Sequence, residues 1–425
     1  MAIPHDEPVP GRLESLDSLS LTVRSSISRM IALHVVGLVT LNAVNCAADQ
    51  TNDATIAVQR LIQASRIYDK EEMAAASNAL AEIGAPAIPS LTTALEDFDD
   101  NVRWQAIVAL GRIGRPALVT VSHLLKALDD VDPDVRAAAA ETLGLLGEKQ
   151  GPVVDRLKQS INDEHALVRA SALWSLWELT GRRESVPELV VLLPHRDWIV
   201  SARAERHLTS ISRPAVPELT QRLQSTENPG RHRIARTLGC IGRLAETAVP
   251  ALVSCLRGSD AELSSAAARA LGQIGQSAVM DVTRFLVSAT TQGRANAVRA
   301  LGLIGPDAGE SLPMLLAELK APKPDRAVTL NSIRAVGQIG IGRADCAERI
   351  AFFLTSRDAD IRGATCAALG AIGIATSHTR RHLNQLVRND PRDFVRQAAS
   401  AALASLRDAR TQGSSGVINN SARIQ

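Results

Sequence analysis

Apolar side chains recur along the chain at the spacing of an α-helix, in segments separated by short turns. In one such segment, Ala139, Leu143 and Leu146 lie three or four residues apart, which places them on the same face of a helix. A glycine follows the segment, here Gly147, and glycine is the residue that most often ends a helix. Another apolar segment follows, often opening at a proline such as Pro187, which the first turn of a helix accepts. The pattern therefore predicts pairs of helices joined by short turns.

One apolar position in the second helix of each pair repeats at intervals of 30–35 residues. It is occupied by Leu80, Leu110, Leu143, Leu176, Leu208, Leu238, Leu271, Leu301, Val336, Leu369 and Leu403. A single helix pair cannot bury its own apolar face, whereas stacked pairs bury each other's. A repeat of this length is typical of a solenoid. We therefore predict an all-α fold, an α-solenoid in which about eleven helix pairs stack into a superhelix.

The second helices share a sequence motif, seen in "DPDVRAAAAETLGLLG", "DADIRGATCAALGAIG" and "DNVRWQAIVALGRIG". Together with the proline-initiated segment that follows, the motif resembles HEAT repeats in the short form named after phycobilisome lyases. The resemblance spans about residues 72–408.

The resemblance implies that the arginine directly after the Val or Ile of this motif pairs with neighbouring acidic residues in a structural ladder. These arginines are Arg103, Arg136, Arg169, Arg362 and Arg396. Repeats five to nine depart from the motif at this position, where they carry Ser201, Arg231, Ser264, Arg294 and Thr329. We expect the ladder to weaken in those repeats.

The N-terminal segment, residues 1–48, differs from the repeats. Its residues 30–48 are uncharged and largely apolar, and they follow Arg29 and end at Ala48, as a signal peptide would. We expect cleavage and export to the periplasm or the extracellular space. A single membrane anchor and an ordinary buried helix remain open, and with them a membrane-anchored or cytoplasmic protein. The other segments are a capping-helix region at 49–71, the repeats at 72–408 and a polar, disordered tail at 409–425.

Composition bears on the fold class, on the possible partners and on whether the cysteines form disulfides. Hydrophobic residues make up 45% of the chain and aromatic residues only 2%, which suits packed helices better than strands. A net charge of +2 does not by itself indicate a polyanionic partner. The cysteines are Cys46, Cys240, Cys255, Cys346 and Cys366. We expect buried, unpaired thiols, although export would allow Cys240–Cys255 or Cys346–Cys366 disulfides.

Five consecutive repeats carry arginine at the sixth residue after the Val or Ile of the motif, which we call the sixth position. These residues, the arginine stripe, are Arg206, Arg236, Arg269, Arg299 and Arg334. None has an Asp or Glu three or four residues away in its own helix. Neighbouring helices lie 8–10 Å apart, so the stripe would extend over roughly 40 Å.

We predict that the arginine stripe lines the concave face and binds an anion or an acidic partner, since guanidinium groups suit carboxylate and phosphate. Arg231, His232 and Arg233 would form its densest part. Pairing of the arginines with acidic residues of neighbouring repeats remains the alternative.

A second candidate surface is apolar and consists of Trp104, Val108, Leu145 and Trp174 at variable positions of repeats two to four. Exposed aromatic residues with apolar neighbours are typical of docking surfaces. The alternative is that the tryptophans pack against residues 50–70 or fill gaps between helices.

Catalytic motifs are absent from the sequence, and no cofactor is expected. His378 and His382 lie one helical turn apart, but no third ligand has suitable spacing, so no metal site is expected. We predict a non-enzymatic scaffold for a protein or peptide with an acidic stretch. A tetrapyrrole lyase or chaperone, implied by the resemblance, and a nucleic-acid-binding protein are the alternatives. The near-neutral charge and expected export argue against nucleic acid, and membrane contact is expected only if residues 30–48 remain as an anchor.

Overall fold

The computed structural model describes residues 50–149, 151–258, 260–320 and 325–418. Every regular element in these ranges is helical, which confirms the predicted all-α solenoid. The chain divides into two compact units, the first ending at Arg156 and the second beginning at Leu157.

In the first unit, long second helices alternate with shorter first helices. The elements are α1 (50–66), α2 (Lys70–Ile83), α3 (Ile88–Ala94), α4 (Asp100–Ile113), α5 (Val121–Ala127) and α6 (Pro133–Leu146). The next helix, α7 (Gly151–Ser160), contains the division between the units.

The second unit continues the alternation. Its second helices are α8 (Ala166–Thr180), α10 (Trp198–Ile211), α12 (Arg231–Ile241), α14 (Ala261–Ile274), α16 (Thr291–Ile304), α18 (Arg326–Ile339), α20 (Ala359–Ile372) and α22 (Asp393–Ile418). Its first helices are α9 (Ser185–Val191), α11 (Val216–Gln224), α13 (Val249–Cys255), α15 (Val279–Ser288), α17 (Leu312–Glu318), α19 (Ala344–Ala351) and α21 (Ser377–Asn389). Short 3-10 turns precede several of the first helices.

Both boundaries of α6 have a local chemical cause. The side chain of Asp132 accepts hydrogen bonds from the backbone N–H groups of Asp134 and Val135, which would otherwise lack partners. At the other end Gly147 has φ 74°, a left-handed conformation that glycine adopts without steric cost. The motif therefore contains both the start and the stop of its helix.

The repeating apolar position forms the core. From Leu80 to Leu369 every residue at this position is fully buried. Leu403 in α22 is only half-buried, because no described helix pair follows it. Neighbouring second helices approach almost to backbone contact, since a Cβ added at Gly337 would lie 2.6 Å from the Cβ of Ala368. Glycine thus allows α18 and α20 to pack closely.

The predicted ladder is confirmed at two repeats. Arg103 makes two hydrogen bonds, of 2.8 and 2.7 Å, to the carboxylate of Asp130 in the next turn, and Arg362 does the same with Asp390 at 2.7 and 2.9 Å. The guanidinium of Arg169 donates to the carbonyl oxygens of the preceding turn. Arg103 and Arg362 therefore tie their second helix to the turn of the next repeat, and Arg169 ties its helix to the turn before it.

Where the motif departs, the ladder is weaker at Ser201 and Thr329, whereas Arg294 still pairs with Glu318 at 3.3 Å. Ser201 donates a single hydrogen bond of 2.6 Å to the Leu193 carbonyl, and Thr329 donates one of 2.8 Å to the Asp325 carbonyl. A hydroxyl cannot also reach a carboxylate of the next repeat, so these repeats lack the second half of the contact.

The cysteines in the described residues are all free, so neither disulfide considered from the sequence forms. Cys255, Cys346 and Cys366 are buried, as expected, whereas Cys240 is exposed. Burial raises the pKa of Cys366 to about 12, which keeps its thiol protonated and unreactive. Cys46 lies outside the described residues.

The ends of the repeat region differ slightly from the predicted segments. Helix α1 occupies most of the region predicted to cap the array. At the other end α22 continues to Ile418, past the predicted start of a disordered tail at residue 409. Residues 30–48 and 419–425 lie outside the described residues, so their assignments remain predictions.

Candidate binding surface on the second helices

The five residues of the arginine stripe occupy equivalent positions on α10, α12, α14, α16 and α18, and all five are exposed. Their environments differ along the array. On one side of the boundary between α12 and α14 the arginines are engaged by other residues, and on the other side they have no acidic partner among the described residues.

Arg236 is neutralised by the preceding repeat. Its Nε donates a 2.7 Å hydrogen bond to Oε1 of Glu205 on α10, and its NH2 group reaches the second carboxylate oxygen. These hydrogen bonds are the main reason that the pKa of Arg236 is raised. Arg206 is not free either. Pairing between neighbouring repeats, the alternative considered from the sequence, thus applies to this part of the arginine stripe.

The predicted dense cluster on α12 does not form a shared site. Arg231 turns towards the first helices, where its Nε donates to the Leu223 carbonyl at 2.8 Å. Arg233 donates to the hydroxyl of buried Ser201, and Nε2 of His232 lies 3.5 Å from Glu262. Neighbouring residues of a helix project about 100° apart, so three consecutive side chains have three different surroundings.

Arg269 and Arg299 converge on one hydroxyl group. The NH1 group of Arg269 donates to Oγ of Ser265 at 3.0 Å, and NH1 of Arg299, from the next repeat, donates to the same oxygen at 3.1 Å. The two NH1 atoms are therefore no more than about 6 Å apart. No Asp or Glu of the described chain forms an ion pair with either arginine.

This arrangement is electrostatically unfavourable without a bound anion. Two positive charges at that separation repel each other by about 1 kcal/mol in water, and by roughly 3 kcal/mol near a protein surface. Helices α16 and α18 contain no Asp or Glu at all. Arg334 on α18 is exposed and makes no hydrogen bond or ion pair with the described residues. The surface of α14, α16 and α18 therefore carries unbalanced positive charge.

The predicted apolar surface is only partly present. In the first unit, Trp104 and Val108 are half-buried and Leu145 is 53% exposed. In the second unit, Trp174 is only 6% exposed and stacks on His207, so it fills a gap between α8 and α10 and is not available for docking. The sequence reasoning also missed Trp198, which is 71% exposed at the start of α10.

Sequence reasoning missed the two residues that divide the arginine stripe, Glu205 and Ser265. Glu205 is 31 residues before Arg236, too far for a test within one helix to detect. The only signal was the repeat register, which places Glu205 one residue before the sixth position of the preceding repeat. For metals, the rings of His378 and His382 lie 4.4 Å apart, but no group of three potential ligands occurs among the described residues.

The family profile of HEAT repeats matches this chain five times. The matches cover residues 58–144, 121–209, 153–238, 216–301 and 312–404. The chain is a HEAT-repeat protein. The profile describes HEAT repeats in general, so the phycobilisome-lyase-like form remains a prediction. A search of curated protein sequences found no match.

Three solved structures with a similar fold are larger than this HEAT-repeat protein. One is the structure of Kap95p, whose binding induces the switch loops of RanGDP to adopt the GTP-bound conformation. It matches with a TM-score of 0.54 and 14% sequence identity, and the match covers 87% of this chain and 59% of that chain. Kap121p bound to Ste12p matches with a TM-score of 0.51 and 11% sequence identity, covering 85% of this chain and 49% of that chain. Kap121p bound to Nup53p matches with a TM-score of 0.50 and 11% sequence identity, covering 82% of this chain and 47% of that chain. The chain thus spans about half the length of these proteins, and at such identities the likeness shows the fold alone.

Proposed function

We propose that this HEAT-repeat protein is a non-enzymatic scaffold that holds an acidic segment of a partner protein against α14, α16 and α18. The observation that carries the proposal is that Arg269, Arg299 and Arg334 are exposed at equivalent positions of three consecutive repeats, with no carboxylate partner among the described residues. We take this surface to be the concave face of the array.

The geometry favours an extended peptide as the occupant. Neighbouring helices lie about 8–10 Å apart, so three arginines form a row of roughly 20 Å. An extended chain advances about 3.3 Å per residue, so a segment of roughly six residues spans the row. Acidic side chains at alternate residues of such a segment would all face the arginines.

The family supports a protein partner. Kap121p, which shares the fold, is seen bound to Ste12p and to Nup53p, so stacked helices of this type can present a protein-binding surface. Solenoids of this kind offer extended surfaces for such contacts.

The direct test is binding of a fluorescein-labelled peptide of alternating Glu and Gly, measured by fluorescence anisotropy. We expect the triple variant Arg269→Glu, Arg299→Glu, Arg334→Glu to lose at least about tenfold in affinity, a difference of about 1.4 kcal/mol. Wild-type affinity should fall as salt is raised, because exposed charges are screened.

The matched control changes the net charge equally but elsewhere, at the exposed arginines Arg213, Arg243 and Arg284. This control should bind like the wild type, and circular dichroism should show unchanged helicity in both variants. Equal binding by the wild type and the stripe variant would overturn the proposal. So would a random-sequence duplex that binds more tightly than the peptide, or a bilin whose absorbance shifts on incubation with the protein.

A further inference from the structure

We propose that Arg269, Arg299 and Ser265 form a phosphate-binding site, and that the partner's acidic segment carries a phosphorylated serine or threonine there. The inference rests on the proposed function and names the chemistry of its central contact. The observation behind it is that two guanidinium groups from neighbouring repeats converge on a single hydroxyl oxygen.

The hydroxyl adds a donor to this site. Its oxygen already accepts from both arginines, at 3.0 and 3.1 Å. A serine hydroxyl also carries one proton to donate, and no described residue accepts it. Two guanidinium groups and one O–H group thus lie close together, and all three are donors.

A phosphoryl group suits this set better than a carboxylate, and the protein itself provides the comparison. Two carboxylates that pair with second-helix arginines here, Glu205 with Arg236 and Asp130 with Arg103, each give both oxygens to a single guanidinium. A carboxylate between Arg269 and Arg299 would balance one charge of two. A phosphoserine carries a charge of about −1.5 to −2 and three acceptor oxygens, which matches two guanidinium groups and a hydroxyl.

No acidic side chain of the described residues competes for the site. The single carboxylate of α14, Glu262, lies beside His232 of the preceding repeat, and α16 has none. Arg334, one repeat further on, carries a third unpaired charge for the acidic residues that flank the phosphorylated one. The phosphate site therefore lies at one end of the surface proposed for the acidic segment.

The test compares three versions of the Glu-Gly peptide whose central residue is serine, glutamate or phosphoserine. On the wild-type protein we expect the phosphoserine version to bind about tenfold more tightly than the glutamate version, because charge-assisted hydrogen bonds form to both guanidinium groups. Arg299→Gln should weaken the serine version about as much as Arg334→Gln does, and in addition it should remove the preference for phosphoserine. Ser265→Ala should reduce the preference severalfold, and Arg299→Lys, which keeps the charge but not the planar fork, should reduce it too.

The control is Arg334→Gln, which should weaken all three peptides to a similar extent. Equal affinity for the glutamate and phosphoserine versions would overturn the phosphate site and leave the acidic-segment scaffold standing. No binding of any version would overturn the scaffold itself. Binding of phosphoinositide-containing vesicles in place of the phosphopeptide would overturn the assignment to a protein partner.

Discussion

The imidazole of His207 lies nearly parallel to the indole of Trp174, with ring centroids 5.0 Å apart and an interplanar angle of 12°. Both side chains are buried between α8 and α10, and neither His207 Nε2 nor Trp174 Nε1 has a hydrogen-bond partner among the described residues. Burial lowers the pKa of His207 well below its usual 6.5, and the nearby charges of Arg203 and Arg206 lower it further. In the folded protein His207 is therefore neutral.

This neutral histidine predicts that the fold loses stability in mild acid. Below about pH 6.5 the unfolded chain binds a proton at His207 that the folded chain does not, so stability is constant above that pH and falls below it. The slope should approach about 1.4 kcal/mol per pH unit from this group alone. Urea unfolding at a series of pH values between about 5 and 8 measures it.

The variant His207→Phe keeps an aromatic ring against Trp174 and should remove most of this slope. The exposed His378, changed to Gln, is the control and should leave the slope as in the wild type. An unaltered slope in His207→Phe would mean that other groups cause the acid sensitivity.

The Arg362–Asp390 pair predicts a large loss of stability when one partner is removed. The two side chains are 11% and 2% exposed, and the hydrogen bonds from Arg362 lower the pKa of Asp390. Asp390→Ala would leave the guanidinium half-buried and unpaired, at a cost of about 2–4 kcal/mol in the free energy of unfolding. Chemical denaturation measures this change.

An exposed ion pair in the same unit is the comparison. Arg326 bonds to Asp360 with both side chains more than half exposed, so Asp360→Ala should change stability little. Because the pKa of Asp390 is lowered, the contribution of the buried pair should persist above the unfolded pKa of an aspartate and be lost as the pH falls through the folded one. Similar losses in both variants would show that the buried pair has no special role.

Gly337 predicts that even one added methyl group disturbs the array. A Cβ there would lie 2.6 Å from the Cβ and 2.7 Å from the Cα of Ala368, so α18 and α20 would have to separate. We expect Gly337→Ala to destabilise the protein by about 1–3 kcal/mol, although alanine is the better helix former. Gly309→Ala, where a Cβ would meet nothing within 4 Å, is the matched control for thermal unfolding. A higher melting temperature in Gly337→Ala would contradict the close approach.

Periodicity predicted the parts of the structure that depend on one repeat and its neighbours. The buried leucines, the glycine helix ends and the pairing of Arg103 with the next turn all follow from the motif, because each is decided within about one repeat length. The class of fold follows from the number of repeats.

Contacts between side chains of adjacent second helices could not be predicted in the same way. Glu205 reaches Arg236, while Ser265 receives both Arg269 and Arg299, and these partners depend on how far and at what angle the helices cross. Trp174 follows the alternative considered from the sequence, since it fills the gap between α8 and α10. A large side chain at an outward position can lie flat in the gap to the next helix, and the sequence does not state the width of that gap.

The close-packing glycines also govern the chemistry of the surface above them. Gly272 and Gly302 let α14, α16 and α18 approach closely, since an added Cβ would lie 2.6 Å from the Cβ of Leu303 and 3.1 Å from the Cα of Ala335, respectively. Helices α8 and α10 carry Trp177 and Thr209 at the equivalent places. Gly239 and Gly337 give the same close approach, so it extends beyond the repeats whose arginines are unpaired. Around Arg269, Arg299 and Arg334, glycines between the helices thus set the spacing that the negative charges of a ligand have to match.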